Sequence, residues 1–196
     1  MLEKILEGKK VLLASKSPRR HYLLKELGVD FVVEDLGEVE EVFPEDMNPL
    51  EVPVYLSELK SKALQRELAD NELLITSDTI VLLNGKVIGK PRDRQDAENM
   101  LKELSDNKHT VITGVTFRSS QKMHSFDAVT DVHFKPLSEN EINYYLDTYK
   151  PYDKAGAYGI QEWIGYIGVE KIDGSYFNVM GLPIQKVYGE IIDFFK

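Results

Sequence analysis

The chain of 196 residues contains no cysteine, which excludes disulfides, thiolate metal sites, iron–sulfur clusters and cysteine nucleophiles. Its chemistry must rest on oxygen and nitrogen groups. Long apolar runs are also missing: nowhere do the ~18 consecutive apolar residues of a membrane span occur, and MLEKILEGKK at the start lacks the apolar core of a signal peptide. A cytoplasmic location without membrane attachment is expected. Positive charge is scarce, with 24 Lys and Arg against 33 Asp and Glu, for a net charge of −9. That balance argues against a surface for duplex nucleic acid or anionic membrane, although a local basic site remains open. Thirteen glycines and eight prolines without a low-complexity tract, with 42% hydrophobic residues, describe a folded chain. No internal repeat or linker divides it, so one domain over 1–196 is expected.

Local patterns alternate between strand and helix. Val11 to Ala14 reads as a buried strand, after which Ser17 offers an N-cap oxygen and Pro18 suits the first helical position. Leu23, Leu24 and Leu27 give that helix an apolar stripe, and Gly28 ends it. Phe31 to Val33 is extended, followed by an acidic stretch from Glu34 to Asp46. Val52, Leu56, Leu59 and Ala63 recur at helical spacing, which predicts a helix from Pro49 to about Ala69. Leu73 to Leu83 reads as a strand, and Asn84-Gly85 predicts a tight hairpin into Lys86 to Ile88. A helix over Arg92 to Leu104, strands over His109 to Arg118 and Met123 to Phe134, and a helix opened by the capping box Ser138/Glu141 follow. Asp173-Gly174 gives a second hairpin signal, and Pro183 to Phe195 a terminal helix.

Three local features are candidates for function. In Ser15-Lys16-Ser17-Pro18-Arg19-Arg20, two arginines occupy a helical first turn, where the positive end of the helix dipole favours acids. An anion there, most naturally a phosphate, would be met by backbone N–H groups, short hydroxyls and two guanidinium forks. The alternative is a solvated turn with both arginines swung outward. Asp78 stands inside an otherwise apolar strand, and an unpaired buried carboxylate costs several kcal/mol. It calls for a metal ion or a lysine, with Lys62 and Lys90 as candidates, unless a bulge at Ser77 turns it out to water. One Glu of the acidic stretch together with Asp78 would suit Mg²⁺ or Mn²⁺. In the segment 152–161, Gly156 and Gly159 permit close backbone approach and Gln161 can both donate and accept, as reading a base edge requires, although a glycine-rich hairpin connection would also explain the glycines. The histidines at 21, 109, 124 and 133 lack metal-ligand spacing, and Trp163, Tyr144, Tyr145 and Tyr149 read as packing residues.

Taken in order, LLASKSPRR, SDTIVLLNGKVIGKPRD, DKAGAYGIQ and DGSYFNVMGLP resemble the Maf family of nucleoside triphosphate pyrophosphatases, relatives of the inosine-triphosphatase-like superfamily. The resemblance runs from about Val11 to Pro183. It implies an α/β fold with an elongated mixed sheet wrapped by helices, two lobes with a central cleft, a divalent cation, a homodimer, and hydrolysis of a nucleoside triphosphate to its monophosphate and pyrophosphate. By motif position it implies Asp78 as proton acceptor, Arg20 as a phosphate ligand, and Lys62 and Lys90 as catalytic cations. It points to Glu41 as the metal-site acid, with Glu40 and Glu38 reachable by a small shift of alignment. Arg19, Thr79 and Gln161 match positions that mark members acting on dTTP and UTP. A 7-methyl-GTP or other modified-nucleotide pyrophosphatase and a non-catalytic nucleotide-binding regulator of cell division are the rival expectations.

Overall fold

A computed structural model describes residues 2–196. In chain order these form α1 (Leu2–Ile5), β1 (Lys10–Ala14), α2 (Pro18–Glu26), β2 (Phe31–Val33), α3 (Val52–Lys62), β3 (Glu72–Leu83), β4 (Lys86–Ile88) and α4 (Arg94–Leu104). Then come β5 (Lys108–Arg118), β6 (Met123–Phe134), α5 (Glu139–Tyr149), a 3₁₀ turn at Ala155–Ala157, α6 (Trp163–Gly168), β7 (Val169–Asp173), α7 (Tyr176–Met180) and α8 (Ile184–Phe194). The strands make one mixed sheet in the order β2-β1-β3-β5-β6-β7, with β4 paired to β3. β1 runs parallel to both β2 and β3, whereas β4 is antiparallel to β3 and β7 to β6. This is the mixed α/β sheet with helices that the sequence implied.

Two compact units divide the chain. The first holds residues up to Asp78 with 113–128 and 181–196, and the second holds 79–112 and 129–180. Within the first, Leu12 and Leu13 of β1 are fully buried, as befits a strand covered on both faces, and so are Leu23 and Leu24 of α2. Phe117 meets Phe126 and Phe194 edge-on at 5.2 and 5.9 Å, which seats the apolar face of α8. Within the second, Ala97, Leu101 and Leu104 of α4 and Ile142, Tyr145 and Leu146 of α5 are buried. His109 is buried there too; its Nε2 lies 2.7 Å from the Tyr158 hydroxyl, and desolvation pushes its pKa down to about 4, so it sits neutral.

Where local chemistry decides, element and expectation coincide. Asn84 and Gly85 both take positive φ, at 51° and 79°, as a two-residue hairpin turn requires. Ser138 and Glu141 form both bonds of the capping box. Three expectations need correction. The helix expected over Pro49 to Ala69 spans only Val52–Lys62, because beyond Ala63 the chain leaves the helix to bury Leu68 against Leu12, Ala14 and Leu74. Arg66 fixes that departure by pairing with Glu72 at 2.6 Å and Glu34 at 3.2 Å. Ser17 takes the N-cap position of α2, but its hydroxyl makes no capping bond. Asp173-Gly174 is no hairpin: Asp173 ends β7 and Gly174 passes into α7, with its φ of 131° and a close approach to Thr130 ruling out a side chain.

The first unit is held by two contacts that can be tested. Gly114 of β5 admits the first turn of α3 so closely that a Cβ would lie 2.3 Å from the backbone of Pro53 and Val54. Gly114→Ala should therefore destabilise by roughly 2 kcal/mol or more, read from urea denaturation, since backbone cannot yield as a flexible side chain can. Glu72 is buried, and Arg66, helped by the Ala69 N–H and Lys10, holds its carboxyl down at about 2 against an ordinary 4.5. A depressed folded value stabilises above the unfolded one and is lost on acidification, so stability should fall as pH drops from about 4.5 toward about 2. Glu72→Gln should flatten that dependence in acid denaturation curves.

Candidate active site

β3 runs without interruption from Glu72 to Leu83, and Asp78 lies within it at 7% exposure, so no bulge at Ser77 turns the carboxylate out to water. A buried carboxylate needs a counter-charge. Lys60 of α3 supplies it: its ammonium pairs with Asp78 Oδ1 and, at 2.8 Å, with Glu41 Oε1. The lysine side chain is 14% exposed, that of Glu41 42%. Glu41, the acid singled out from the acidic stretch, thus comes to the same cation as Asp78.

Lys62, the expected partner, points elsewhere. Its side chain is 60% exposed and meets Glu58 at 3.4 Å. The difference follows from how α3 docks. Ser57 is fully buried, its carbonyl accepting a 2.7 Å bond from the Thr76 hydroxyl of β3 and its own hydroxyl lying 2.6 Å from that of Thr116 on β5. Lys60 follows Leu56 by four residues and Ser57 by three, which puts it on the same buried face, whereas Lys62 falls outside it. Lys60 is the partner of Asp78 that pattern reading missed.

Arg20 joins this group. Its Nε donates to the Gly181 carbonyl at 2.8 Å and its Nη1 to the Ser77 carbonyl at 2.9 Å, the latter beside Asp78 in the chain. Burial pulls the guanidinium below its ordinary pKa; the charges of Asp78 and Glu41 oppose that shift and Arg19 adds to it. Arg20 therefore senses the other three charges. At the start of α2 no acid occupies the first turn, the Ser17 hydroxyl is buried with no hydrogen-bond partner, and the Ser15 hydroxyl accepts from Ser17 N–H at 3.2 Å. His21 Nε2 donates to the Ser15 carbonyl at 2.6 Å, which fixes the approach to the helix. Arg19 is half-buried. An uncapped, arginine-bearing N-terminus is a suitable seat for a phosphate.

The remaining expected residues belong to the second unit. Thr79, half-buried, follows Asp78 directly; Lys90 is exposed just beyond β4. The carbonyl of its neighbour Gly89 accepts the Gly156 N–H at 3.0 Å, tying that segment to the glycine-bearing one. The latter is no hairpin connection but a 3₁₀ turn with Gly156 and Ala157 at positive φ, 69° and 56°. Gln161 follows it, its carbonyl accepting from Tyr166 Oη at 2.6 Å while its side-chain oxygen is buried without a hydrogen-bond partner. An orphaned amide oxygen of this kind suits a ligand N–H donor.

For a metal the donor set is sparse and oxygen-only. Among the described residues no group of three or more His, Cys, Asp or Glu is placed to hold an ion. Glu41 and Asp78 nevertheless converge on one cation, Lys60, and two carboxylates are what a hard divalent ion uses when phosphate and water complete its shell. The residues fit such an ion as a pair.

A buried acid, a lysine and an arginine held between parallel strands and a helix start mark an α/β protein suited to phosphate chemistry. The family model for the Maf-like protein matches residues 10–194, and the chain belongs to that family. Relatives named dTTP/UTP pyrophosphatase include one from Bacteroides thetaiotaomicron, 53% identical over 186 residues that cover 95% of this chain and 96% of its own. One from Parabacteroides distasonis is 52% identical over 194 residues, 99% of this chain and all of its own length (100%). Among solved structures, a HAM1 protein from Coxiella burnetii overlaps 64% of this chain and 73% of its own at a TM-score of 0.42 and 12% identity.

The two lysines separate the readings of α3. Lys60→Ala should cost roughly 3 kcal/mol in urea denaturation, by leaving Asp78 buried with its charge unmatched, whereas Lys62→Ala should stay within about 0.5 kcal/mol. Equal effects would return the pairing to Lys62.

Proposed function

We propose that this protein hydrolyses dTTP and UTP to the nucleoside monophosphate and pyrophosphate, with water attacking the α-phosphorus. The observation that carries the reading is the buried Asp78 carboxylate held against Lys60 beside Arg20 and Glu41, in a chain whose relatives at 52–53% identity over nearly their whole length bear the name dTTP/UTP pyrophosphatase. Asp78 accepts the proton of the attacking water. Lys60, Arg20 and Lys90 neutralise charge on the phosphate oxygens as the bond to pyrophosphate breaks, and Ser15, Arg19 and the α2 N-terminus hold the phosphate chain. Glu41 and Asp78 would hold Mg²⁺ or Mn²⁺, whose chemistry when bound is to polarise the phosphate oxygens. Gln161 and Thr79 serve the base: the orphaned Gln161 oxygen accepts the imide N–H of thymine or uracil while its amide nitrogen donates to a ring carbonyl.

Homodimer formation, action in the cytoplasm, and independence of duplex nucleic acid and membrane belong to the same proposal, on the strength of the acidic balance and the family resemblance. No helix among the described residues is long and apolar enough to cross a membrane.

Turnover of dTTP, UTP, CTP, GTP and 7-methyl-GTP, each with and without Mg²⁺, tests the reading. Efficient release of pyrophosphate from dTTP and UTP alone is expected; a preference for 7-methyl-GTP, or binding without turnover, would assign the protein to one of the rival classes. Asp78→Asn should fold and lose about 10³-fold or more in pyrophosphate release from dTTP. Near-normal turnover in that variant would remove Asp78 from the mechanism.

A further inference from the structure

Beside Gln161 the second unit contains a buried polar cluster that the proposed chemistry does not use. Glu162 sits at its centre, its side chain 19% exposed. One carboxylate oxygen accepts the hydroxyl proton of Tyr145, the largest of the fully buried side chains, and the other meets Lys154 Nζ at 3.1 Å. Lys154 is itself buried and also pairs with Asp153 at 2.8 Å. The Tyr145 oxygen accepts the Gly159 N–H at 3.0 Å, and Gly159 is a glycine for good reason, since a Cβ would stand 2.8 Å from the Glu162 carboxyl carbon. Burial and the Glu162 charge push the tyrosine pKa up, so its hydroxyl stays a donor. Within α5, Tyr149 stacks on Tyr145 at 5.2 Å between ring centres, and Trp163 packs edge-on against Tyr144 at 4.7 Å, joining the start of α6 to α5.

This cluster spans the segment that ends in Gln161. At its front, Gly156 and Ala157 hold positive φ, a conformation that is strained for an alanine and persists only where surroundings impose it. At its back, Gln161 lies next to Glu162 in the chain, with its side-chain oxygen buried and unpartnered. A segment strained at one end and carrying an unsatisfied polar atom at the other would relax if nothing fixed its middle. We propose that Tyr145, Lys154 and Glu162 are positioning residues for base discrimination: they clamp Gly159 so that the Gln161 amide is held ready for a ring bearing an N–H between two carbonyls. The inference rests on the proposed role of Gln161 and extends it to three residues that act through it.

Preorganisation of this kind acts on the nucleotide whose edge is read and leaves the phosphate chemistry alone. The test compares kcat/KM for dTTP and dCTP in the unaltered protein and in Glu162→Gln, Tyr145→Phe, Gln161→Ala and the double variant Gln161→Ala/Glu162→Gln, with far-UV circular dichroism and thermal unfolding checking each fold. Glu162→Gln and Tyr145→Phe are expected to lose about 10-fold for dTTP, chiefly in KM, while dCTP turnover changes less than about 2-fold. The double variant should discriminate no worse than Gln161→Ala alone, because the cluster acts through that residue. Equal losses on both nucleotides, or additive losses in the double variant, would overturn the positioning role. Should Gln161→Ala leave discrimination intact, base reading by Gln161 fails, and the inference fails with it; if Gln161→Ala abolishes discrimination and Glu162→Gln does not, only the inference fails.

Discussion

The ion pair between Asp78 and Lys60 sets the terms for the first unit. A carboxylate inside a sheet strand costs several kcal/mol unless a cation reaches it, and the cation comes from a helix that must be docked closely enough to deliver a lysine ammonium. That docking explains the missing side chain at Gly114, the buried Ser57, and the hydroxyls of Thr76 and Thr116 that pin the Ser57 carbonyl and hydroxyl to two strands. Glu72, at the start of the same strand, presents the contrasting solution: Arg66, Lys10 and the Ala69 N–H all bind its carboxylate, so it is saturated and structural. Asp78 instead shares one lysine with the half-exposed Glu41. An acid matched by a shared cation can exchange partners, as a reacting group must.

Much of this could be read without coordinates, because the signals were local violations. A carboxylate in an apolar run and arginines at the wrong pole of a helix dipole are visible residue by residue, and the structure buries the first and leaves the second without a capping side chain or a first-turn acid. The hairpin at Asn84-Gly85 and the box at Ser138/Glu141 are equally local. Lys60 was not legible for a geometrical reason. Around a helix, Lys60 and Lys62 flank the stripe of Val52, Leu56, Leu59 and Ala63 at roughly 80° to either side, so periodicity gives no preference between them. Two serines break the tie. Ser57 and Ser61 are fully buried, which rotates the covered face toward Lys60 and leaves Lys62 in solvent. Small hydroxyl residues count as polar in a pattern, yet here they serve as close-packing residues.

The segment from 152 to 168 resisted reading for a different reason. Its glycines fit a hairpin as well as anything else, and what decides its shape is a set of contacts made far along the chain: Tyr145 to Gly159 and Glu162, and Gly89 to Gly156. Two consecutive left-handed residues, one an alanine, are imposed by surroundings that no window of sequence contains.

Acidity, finally, has a role beyond excluding polyanions. Lys60 lies against Asp78 and Glu41, and Lys154 against Asp153 and Glu162, so each of these lysines already has two carboxylates for company. An anion approaching Lys60 must compete with acids that are covalently present at high effective concentration. A single phosphate on a polymer does so poorly. Under the proposed function, Glu41 and Asp78 would hold a divalent cation that accompanies a triphosphate, and Lys60 would then be open to the phosphate oxygens. The net charge of −9 is thus compatible with the proposed nucleotide chemistry, in which the surplus of acid would favour a ligand that brings its own positive charge.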